Sequence, residues 1–466
     1  MKTSSVLHIG FDDTDSKNGM CTTFLAYKIV EYLKKAQVKF LDYPYLIRFN
    51  PNIPWKTRGN GAVALKIKTN KPDYIKKSLI RFIKKYSAVN DGANPGLVFY
   101  QHENIPKEFA EFGRLALCNL IKRNKAKEFT LRNGIESFYL GNGQGLVGAI
   151  GAIGYFFDDH TFELISYRKK PNFGKKREIS KESVKKMQDL THPHTFNSYD
   201  EEKDRILISP HGPDPVLFGI RGDDINSVIR GSSLVQSSEK YDGYMVFRSN
   251  QGTGAHLKNQ LNIHNLEPFS SGYIVGRILD SPQIEKGGHV FFSIISNGKE
   301  IKCAVYKPTG MTMIASNLIK GDLVRLGGGI RKASKHHQRI LNAEFLQILE
   351  LKTNIKLVNP ICHNCRKKMK SKGKNQGFEC IKCGNVFSHK VPKKIPRTIK
   401  KQLYLPVLSA HRHLTRPMQR IEKINERIEF DDSIEWFHTS MTDSKPQNHT
   451  IRVTVQNPHL SSNLIL

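Results

Sequence analysis

Two CxxC pairs constrain the fold of this chain more than any other feature of its sequence. Fourteen residues separate the first pair from the second. Four thiolates at this spacing are typical of a tetrahedral Zn²⁺ site with no open coordination position. A closed site of this kind is structural, so we predict a rigid zinc module whose ligands are Cys362, Cys365, Cys380 and Cys383.

A basic run surrounds these cysteines. Residues 366–401 contain thirteen Lys or Arg and a single acidic residue, Glu379. Beside a zinc module, such a run favours a surface that follows a phosphate backbone, and a solvated tail is the alternative. The candidate contacts with RNA are Lys367, Lys368, Lys393 and Lys394.

The charge of the whole chain indicates the same class of partner. Its 466 residues carry a net charge of +31, which favours a polyanion. No apolar run reaches the roughly 18 residues that a membrane span needs. Nucleic acid therefore explains the positive charge better than a membrane does. The three remaining cysteines are scattered singletons, and neither they nor the chain start suggest secretion. We therefore expect a cytoplasmic protein.

A cluster of carboxylates follows the first predicted strand. The apolar residues 6–10 lead into Asp12, Asp13 and Asp15, and an amphipathic helix begins near Thr22. Carboxylates this close repel one another, whereas Mg²⁺ prefers hard oxygen ligands and bridges them to phosphate oxygens. Free N–H groups at the helix start attract an anion to the same place. The pattern predicts a site for a nucleotide phosphate with Mg²⁺, and a solvated turn capped by Thr22 is the alternative.

The loop at residues 50–65 is a second candidate for ligand binding. It places Lys56 and Arg58 beside Gly59, where a backbone can approach a ligand closely. A rigid turn with both cations solvated explains the same residues equally well.

The remaining patterns indicate several domains. Alternating strands and helices over residues 1–136, among them a strand over residues 40–49 and a helix over residues 107–123, predict an α/β layered domain. The glycine-rich residues 141–155 lack a dinucleotide-binding register, so close helix packing is the favoured use of their glycines. Five short strands over residues 268–351 predict a small barrel of the OB type.

Seven features in a fixed order carry a resemblance to a known family. They are FDDTDSKNGMCTTFLA, RFNPNIPWKTRGNGAV, NPGLVFY, GQGLVGAIGAIG, PHGPDPVLFGIRG, FRSNQGTGAHL and the CxxC pairs. Over residues 6–440 the chain resembles the archaeal agmatidine synthetases, which make 2-agmatinylcytidine in the minor isoleucine tRNA.

The resemblance implies a multidomain protein that combines the α/β and α+β classes. The expected units are a kinase-like ATP-binding N-terminal domain (1–136), a ferredoxin-like domain (137–266), an OB-fold domain (267–352), a zinc ribbon (353–390) and a basic C-terminal region (391–466).

The resemblance also implies an ATP-dependent carbon–nitrogen ligase. Its substrates would be agmatine and the isoleucine tRNA with a CAU anticodon. Phosphorylation would activate the C2 oxygen of the wobble cytidine, and agmatine would replace it, so that the tRNA reads AUA. The implied site residues are Asp12, Asp13 and Asp15 for Mg²⁺ and ATP, Thr22 as a phosphorylated residue, and Lys56, Arg58, Gly59 and Asp214 for ATP or substrate.

Three other functions fit the residues alone. A non-catalytic RNA-binding scaffold would use the barrel, the zinc module and the basic run. An aspartyl-phosphate phosphotransferase acting on RNA would use one carboxylate of Asp13-Thr14-Asp15 as its nucleophile. A base-modifying ligase that takes a different amine is the third.

Overall fold

The computed structural model of the chain describes residues 4–335, 338–426 and 428–440. Their first 250 residues or so form a large sheet with helices on both faces. The strands in this part are β1 (Ser5–Asp12), β2 (Lys39–Phe40), β3 (Tyr45–Arg48), β4 (Gly61–Thr69), β5 (Gly96–Tyr100), β6 (Glu136–Tyr139), β7 (Thr161–Arg168), β8 (Thr195–Phe196), β9 (Tyr199–Asp200), β10 (Arg205–Ile206), β11 (Val216–Gly222) and β12 (Tyr241–Ser249). The helices are α1 (Thr22–Lys35), α2 (Pro72–Tyr86), α3 (Lys107–Cys118), α4 (Arg123–Arg132), α5 (Leu146–Ile153), α6 (Lys181–Thr191) and α7 (Ile225–Leu234).

A single parallel strand pair joins the two halves of this sheet. The strand order is β6-β5-β1-β4-β3-β12-β7-β11-β8. Along this path the neighbours are antiparallel except β3 and β12, which pair Tyr45 with Arg248 and Leu46 with Ser249. The first two predicted domains therefore contribute to one continuous sheet, and their strand ends meet at its centre.

Helix α1 forms where the apolar period predicts it. Its residues Leu25, Ile29 and Leu33 are fully buried against the sheet. Helix α5 packs closely because glycines permit the contacts: a Cβ on Gly10 of β1 would overlap the carbonyl oxygen of Ala149, and a Cβ on Gly154 would overlap the carbonyl oxygen of Phe109 in α3. The prediction that the glycine-rich segment serves close helix packing is confirmed.

Two predicted elements are interrupted. The strand expected over residues 40–49 is broken between β2 and β3, where the Asp42 carboxylate accepts hydrogen bonds from the Tyr43 backbone and the Tyr45 hydroxyl. Pro44, which has no N–H for a sheet, lies in this break. The helix expected over residues 107–123 ends at Cys118, and α4 begins only at Arg123. Burial of Ile121 in the core explains the turn between them.

Five strands of the described residues close into a barrel. The elements of this unit are β13 (Ser271–Ile278), β14 (Gln283–Ile284), β15 (Val290–Ser296), β16 (Lys299–Val305), α8 (Thr312–Ser316), β17 (Leu323–Arg331) and β18 (Ile340–Glu350). The barrel runs β13-β17-β18-β16-β15 and closes by pairing β15 with β13. Buried side chains such as Ile294, Cys303 and Leu346 fill its interior. The predicted small barrel is confirmed.

A small ribbon of short strands follows the barrel. Its strands are β19 (Asn354–Val358), β20 (Lys370–Ser371), β21 (Phe378–Glu379), β22 (Val386–Phe387) and β23 (Val391–Ile395). Its apolar core is little more than Met369 and Phe378 beside the cysteines. A core of this size is too small to fold on hydrophobic burial alone, so the ribbon depends on its metal site.

The chain then returns to the large sheet through residues 403–440, which we call the return segment. Strand β24 (Leu403–Tyr404) pairs with β18 of the barrel, and β25 (Phe437–Thr439) pairs with β12 of the large sheet. Trp436, only 1% exposed, packs on Phe40 in the core of that sheet. Of the C-terminal region expected over residues 391–466, residues 441–466 lie outside the described residues.

The described helices are too short or too polar to cross a membrane. The longest of them, α2, has 15 residues and includes several lysines.

Candidate functional site

A cavity of about 340 Å³, which we call the central cavity, opens where the two halves of the large sheet meet. Arg48 of β3 and Gly61 of β4 line it from one half, and Glu163 of β7 and Arg221 of β11 line it from the other. The structure brings eight predicted site residues to its walls: Asp12, Asp13, Asp15, Thr22, Lys56, Arg58, Gly59 and Asp214. Residues some 200 positions apart therefore share one site.

The ionised forms of the carboxylates at the end of β1 are destabilised. Burial, followed by the charge of Asp13, raises the pKa of Asp12 well above its usual range. Burial and then the charge of Asp15 raise the pKa of Asp13 to about 6. Asp13 also adopts the left-handed backbone region, with φ of 55°. Such strain and repulsion are typical of a binding site whose ligand is a cation.

The donor set of this loop suits a hard metal ion that has further ligands. Arg58 reaches Asp15 at 3.6 Å, but no cation of the described residues forms an ion pair with Asp12 or Asp13. In the same residues, the four ribbon cysteines are the one group of three or more potential ligands whose donor atoms converge. The carboxylates therefore do not form a closed protein cage, which fits Mg²⁺ bound by one or two carboxylates and phosphate oxygens.

The start of α1 lies beside these carboxylates. Cys21 is the N-cap residue and makes no side-chain capping hydrogen bond, so the first N–H groups of the helix lack that partner. Thr22 is the first helical residue rather than the cap, and its Oγ1 accepts a hydrogen bond of 3.0 Å from Thr14 Oγ1. The alternative in which Thr22 caps the helix is wrong.

The loop between β3 and β4 is fixed against the acidic loop. Thr57 Oγ1 donates to Asp15 Oδ1 at 3.0 Å, and Arg58 Nη2 donates to the carbonyl oxygen of Ser16 at 3.1 Å. Arg58 Nη1 also lies 3.4 Å from Asp214 Oδ2. Arg58 is therefore not a freely solvated cation but a link between carboxylates from both halves of the sheet.

Arg177, which the sequence analysis did not single out, holds the Asp214 loop in place. Its guanidinium donates to the carbonyl oxygens of Pro210, Gly212, Asp214 and Val216 at 2.7–3.0 Å. It also lies 3.2 Å from Asp214 Oδ1. Asp214 is thus compensated by Arg177 and Arg58 together, although burial still raises its pKa.

The opposite wall contains a second ion-pair cluster that the sequence analysis missed. The buried Glu163 carboxylate accepts from Arg221 Nε at 3.1 Å and lies 3.6 Å from Arg48 Nη2. The same carboxylate accepts from the Gln251 amide, which in turn contacts His413. These residues come from β3, β7, β11 and two distant loops, so no local spacing could reveal them.

The zinc module and its lysines form a separate site. The sulfur atoms of the four cysteines all lie within 4.8 Å of one another, which suits a tetrahedral Zn²⁺ site. Lys367, Lys368, Lys393 and Lys394 are exposed, and none of them lines the central cavity. Arg397, from the same basic run, instead forms an ion pair of 2.7 Å with the buried Asp322 of the barrel.

Three family models match the chain in succession. They are the TiaS TCKD domain over residues 8–142, the TiaS FLD domain over residues 143–256 and the TiaS C-terminal zinc ribbon domain over residues 359–399. A protein of Cenarchaeum symbiosum (strain A), the isoleucine-tRNA 2-agmatinylcytidine synthetase TiaS, is 46% identical over 430 residues. The match covers 92% of this chain and 96% of that protein.

Solved structures are similar over nearly the same length. The crystal structure of TiaS in complex with its isoleucine tRNA and ATP matches with a TM-score of 0.82 and 33% identity, and covers 91% of this chain and 100% of that one. The crystal structure of TiaS with the same tRNA, AMPCPP and agmatine matches with a TM-score of 0.78 and 32% identity over the same shares.

Proposed function

The chain belongs to the TiaS family of isoleucine-tRNA 2-agmatinylcytidine synthetases, and we propose that it joins agmatine to the wobble cytidine of the CAU-anticodon isoleucine tRNA in an ATP-dependent reaction. The central cavity is the strongest support from the structure. It gathers buried carboxylates, a helix start and fixed cations where the two halves of the large sheet meet. Carboxylates that can hold a metal ion, free N–H groups and fixed cations are the groups that phosphoryl transfer to an oxygen requires.

The chemistry explains why ATP is needed. The C2 oxygen of cytidine is a poor leaving group, but once phosphorylated it departs as phosphate when an amine attacks C2. Catalysis of such a transfer depends mainly on position and charge stabilisation. The product pairs with A rather than G, so the modified tRNA reads AUA as isoleucine.

Asp12 and Asp13 would hold Mg²⁺, and Asp15 would fix Arg58 toward the phosphates. Mg²⁺, when bound, neutralises charge that develops on the transferring phosphoryl group. The raised pKa values of both carboxylates support this assignment, because burial and then mutual repulsion raise them, and a divalent cation would stabilise the ionised forms against both effects. The N–H groups at the start of α1 would bind a phosphate oxygen.

Four other predicted residues receive roles from their places in the cavity. Thr22 would be the site of self-phosphorylation, because its hydroxyl lines the cavity beside the acidic loop. Lys56 would attract phosphate, and Gly59 would let the backbone approach the ligand closely. Asp214, held between Arg58 and Arg177, would position the loop at residues 210–216 rather than grip a cationic substrate.

The finer architecture belongs to the same proposal. We assign residues 1–136 to a kinase-like ATP-binding domain and residues 137–266 to a ferredoxin-like domain, whose first residues complete β6 at the outer edge of the first half of the sheet. The barrel (267–352) would be an OB fold, since its third and fifth strands, β16 and β18, are parallel and α8 precedes its fourth. The zinc ribbon would cover residues 353–390, followed by the basic region.

The ribbon and its exposed lysines would bind the RNA. Lys367, Lys368, Lys393 and Lys394 present charge away from the cavity, where it can contact backbone phosphates. The wobble base must leave its stack to enter the cavity, at a cost of a few kcal/mol that such contacts can offset.

None of the seven cysteines forms a disulfide, which supports a reducing, cytoplasmic location.

Mass spectrometry of the CAU-anticodon isoleucine tRNA tests this function. After incubation with the protein, ATP, Mg²⁺ and agmatine, we expect one agmatine adduct at the wobble cytidine. An adduct with another amine in preference to agmatine would identify a different ligase. ATP consumption through an acid-stable phosphothreonine, rather than a labile acyl phosphate, would exclude an aspartyl-phosphate mechanism.

A further inference from the structure

His413 of the return segment reaches the central cavity through a chain of hydrogen bonds. Its Nδ1 lies 2.7 Å from Gln251 Oε1. The Nε2 amide of the same glutamine donates to Glu163 Oε2. Glu163 is in turn fixed by Arg221 Nε at 3.1 Å. The chain therefore runs from a buried ion pair to the imidazole at the cavity wall.

This chain fixes the tautomer of His413. An ionised Glu163 can only accept hydrogen bonds, so it must face the amide N–H₂ of Gln251. The Gln251 carbonyl oxygen is then the atom that faces His413, and it too can only accept. The proton of the neutral imidazole consequently sits on Nδ1, which leaves the lone pair on Nε2.

The lone pair on Nε2 is available to a ligand. The imidazole lines the central cavity and lies against Gly59, where a Cβ would stand 2.6 Å from Nε2. No donor of the described residues forms a hydrogen bond with Nε2. The absence of a side chain at Gly59 thus keeps a directed acceptor at the cavity wall.

The surrounding charges select the kind of donor that this acceptor meets. Burial and the charges of Arg48 and Arg221 lower the pKa of His413 well below its usual range, and Glu163 compensates only one of the two arginines. The same field disfavours a guanidinium or an ammonium and favours an uncharged amine. ATP bound to Mg²⁺ is largely deprotonated at neutral pH and has little proton to donate, and the two arginines would attract a phosphate group instead.

We propose that Nε2 of His413 accepts a hydrogen bond from the attacking primary amine of the nitrogen substrate, and that it acts as the base of the second half-reaction. This assignment rests on the proposed function. Attack at C2 places the amine and the departing phosphate on the same carbon. A cluster that offers one acceptor beside two arginines can hold both groups.

The proton balance of the step is complete without another reactant. The amine lone pair forms the C2–N bond, and the electron pair of the C2–O bond leaves with the phosphate. Formation of the C2–N bond makes the nitrogen strongly acidic, so it gives up one proton to His413 Nε2 despite the lowered pKa of the imidazole, which passes that proton directly to the more basic departing phosphate. The substrate amine enters in its neutral form, having released its extra proton to water.

Replacement of His413 tests the proposal by separating the two half-reactions. The amine step is measured by preincubating the tRNA with the enzyme and ATP and then adding agmatine. We expect this step to slow by about 10²-fold in His413→Ala, as for loss of a general base. The KM for ATP should change little. Added imidazole should restore part of the lost rate, because the vacated space beside Gly59 can admit it.

Matched variants exclude a purely structural role. His413→Phe keeps a ring against Gly59 but no acceptor, so it should lose the amine step without imidazole rescue even if the alanine variant unfolds. His411→Ala removes a histidine from the same segment, whose Nε2 lies 3.0 Å from the Pro406 carbonyl oxygen and which does not line the central cavity. We expect it to keep the wild-type rate of the amine step.

The outcomes are distinct. A folded His413→Phe variant with a wild-type rate for the amine step would overturn the assignment. Equal slowing of the ATP step and the amine step, without rescue of the alanine variant, would do the same. A wild-type protein that makes no amine adduct would instead refute the proposed function, whatever the variants do.

Discussion

The central cavity and the zinc ribbon are both rich in cations but use them in opposite ways. In the cavity, Arg58 pairs with Asp15 and Asp214, and Arg48 and Arg221 share Glu163. In the ribbon, lysines such as Lys393 are exposed on a strand and have hardly any acidic neighbours. A buried, paired cation fixes the position of its partner carboxylate, whereas an exposed cation contributes to an electrostatic field that dissolved salt screens.

The two regions also differ in how they treat a metal. The ribbon offers four soft thiolates in a closed set, so its metal can only stabilise the fold. The acidic loop offers repelling carboxylates with no converged cage, so a metal ion bound there would need further ligands from a substrate. Removing the metal should therefore unfold the ribbon, whereas at the acidic loop it should stop phosphoryl transfer and leave the fold intact.

The largest expected effect is on the acidic loop. Asp12→Asn and Asp13→Asn should each lower ATP turnover by about 10³-fold or more, because a Mg²⁺ ligand is lost from the transition state. The fold should survive, since an amide removes a buried charge that the structure disfavours. ATP hydrolysis and thermal melting measure the two effects. Asp73→Asn, at the exposed start of α2, is the control, and normal turnover in either variant would remove the metal assignment.

Thr22→Val is the next test of the cavity. Valine keeps the β-branched shape but lacks the hydroxyl that accepts a phosphoryl group, so self-phosphorylation should disappear. Phosphopeptide mapping after incubation with labelled ATP provides the measurement. Thr23→Val, at the neighbouring residue, should leave the label in place. Phosphate found solely on another residue would contradict the role given to Thr22.

In the ribbon, Cys362→Ser or Cys380→Ser should release one zinc ion and weaken tRNA binding. ATP turnover should persist, because the central cavity contains no ribbon residue. Metal analysis and a tRNA titration check both statements. Cys118→Ser is the matched control, since a hydroxyl can keep the 3.0 Å hydrogen bond to Asn259 Oδ1. A wild-type protein purified without zinc would overturn the assignment of a zinc site to the ribbon.

The smallest effect concerns the exposed lysines. Changing Lys367, Lys368, Lys393 and Lys394 to Gln should weaken tRNA binding and reduce the salt slope by about 0.7–0.9 units for each phosphate that the protein no longer neutralises. Titration of the tRNA at several salt concentrations measures the slope. The same change at four exposed lysines near or on α2, Lys71, Lys77, Lys84 and Lys85, controls for net charge. Unchanged affinity and slope would show that the ribbon lysines only solubilise the protein.

Local sequence was sufficient for features formed within about twenty residues. The strand, acidic loop and helix around Asp12 and Thr22 could be predicted because chain neighbours determine them. The ribbon cysteines were equally evident from their spacing. The broken strand at Pro44 and the early end of α3 were missed, because buried partners rather than local propensity decide them.

The second wall of the cavity could not be predicted in this way. Glu163, Gln251 and His413 meet because β12 pairs with β7 and the return segment comes back to the sheet. No periodicity links residues so far apart. Their motifs, FRSNQ and HRHLTRP, contain polar residues at strand ends and in loops, which is the signal that could have found them.

The return segment has a consequence for how the enzyme is made. A ribosome that has translated the first 400 residues has supplied every carboxylate of the cavity, but neither His413 nor Trp436. The sheet that begins at Ser5 receives its last described strand at Thr439. A nascent chain therefore lacks the His413 wall of the cavity until the return segment has been added. Because the proposed acceptor of the amine proton is absent until then, a shorter nascent chain is not expected to complete the transfer.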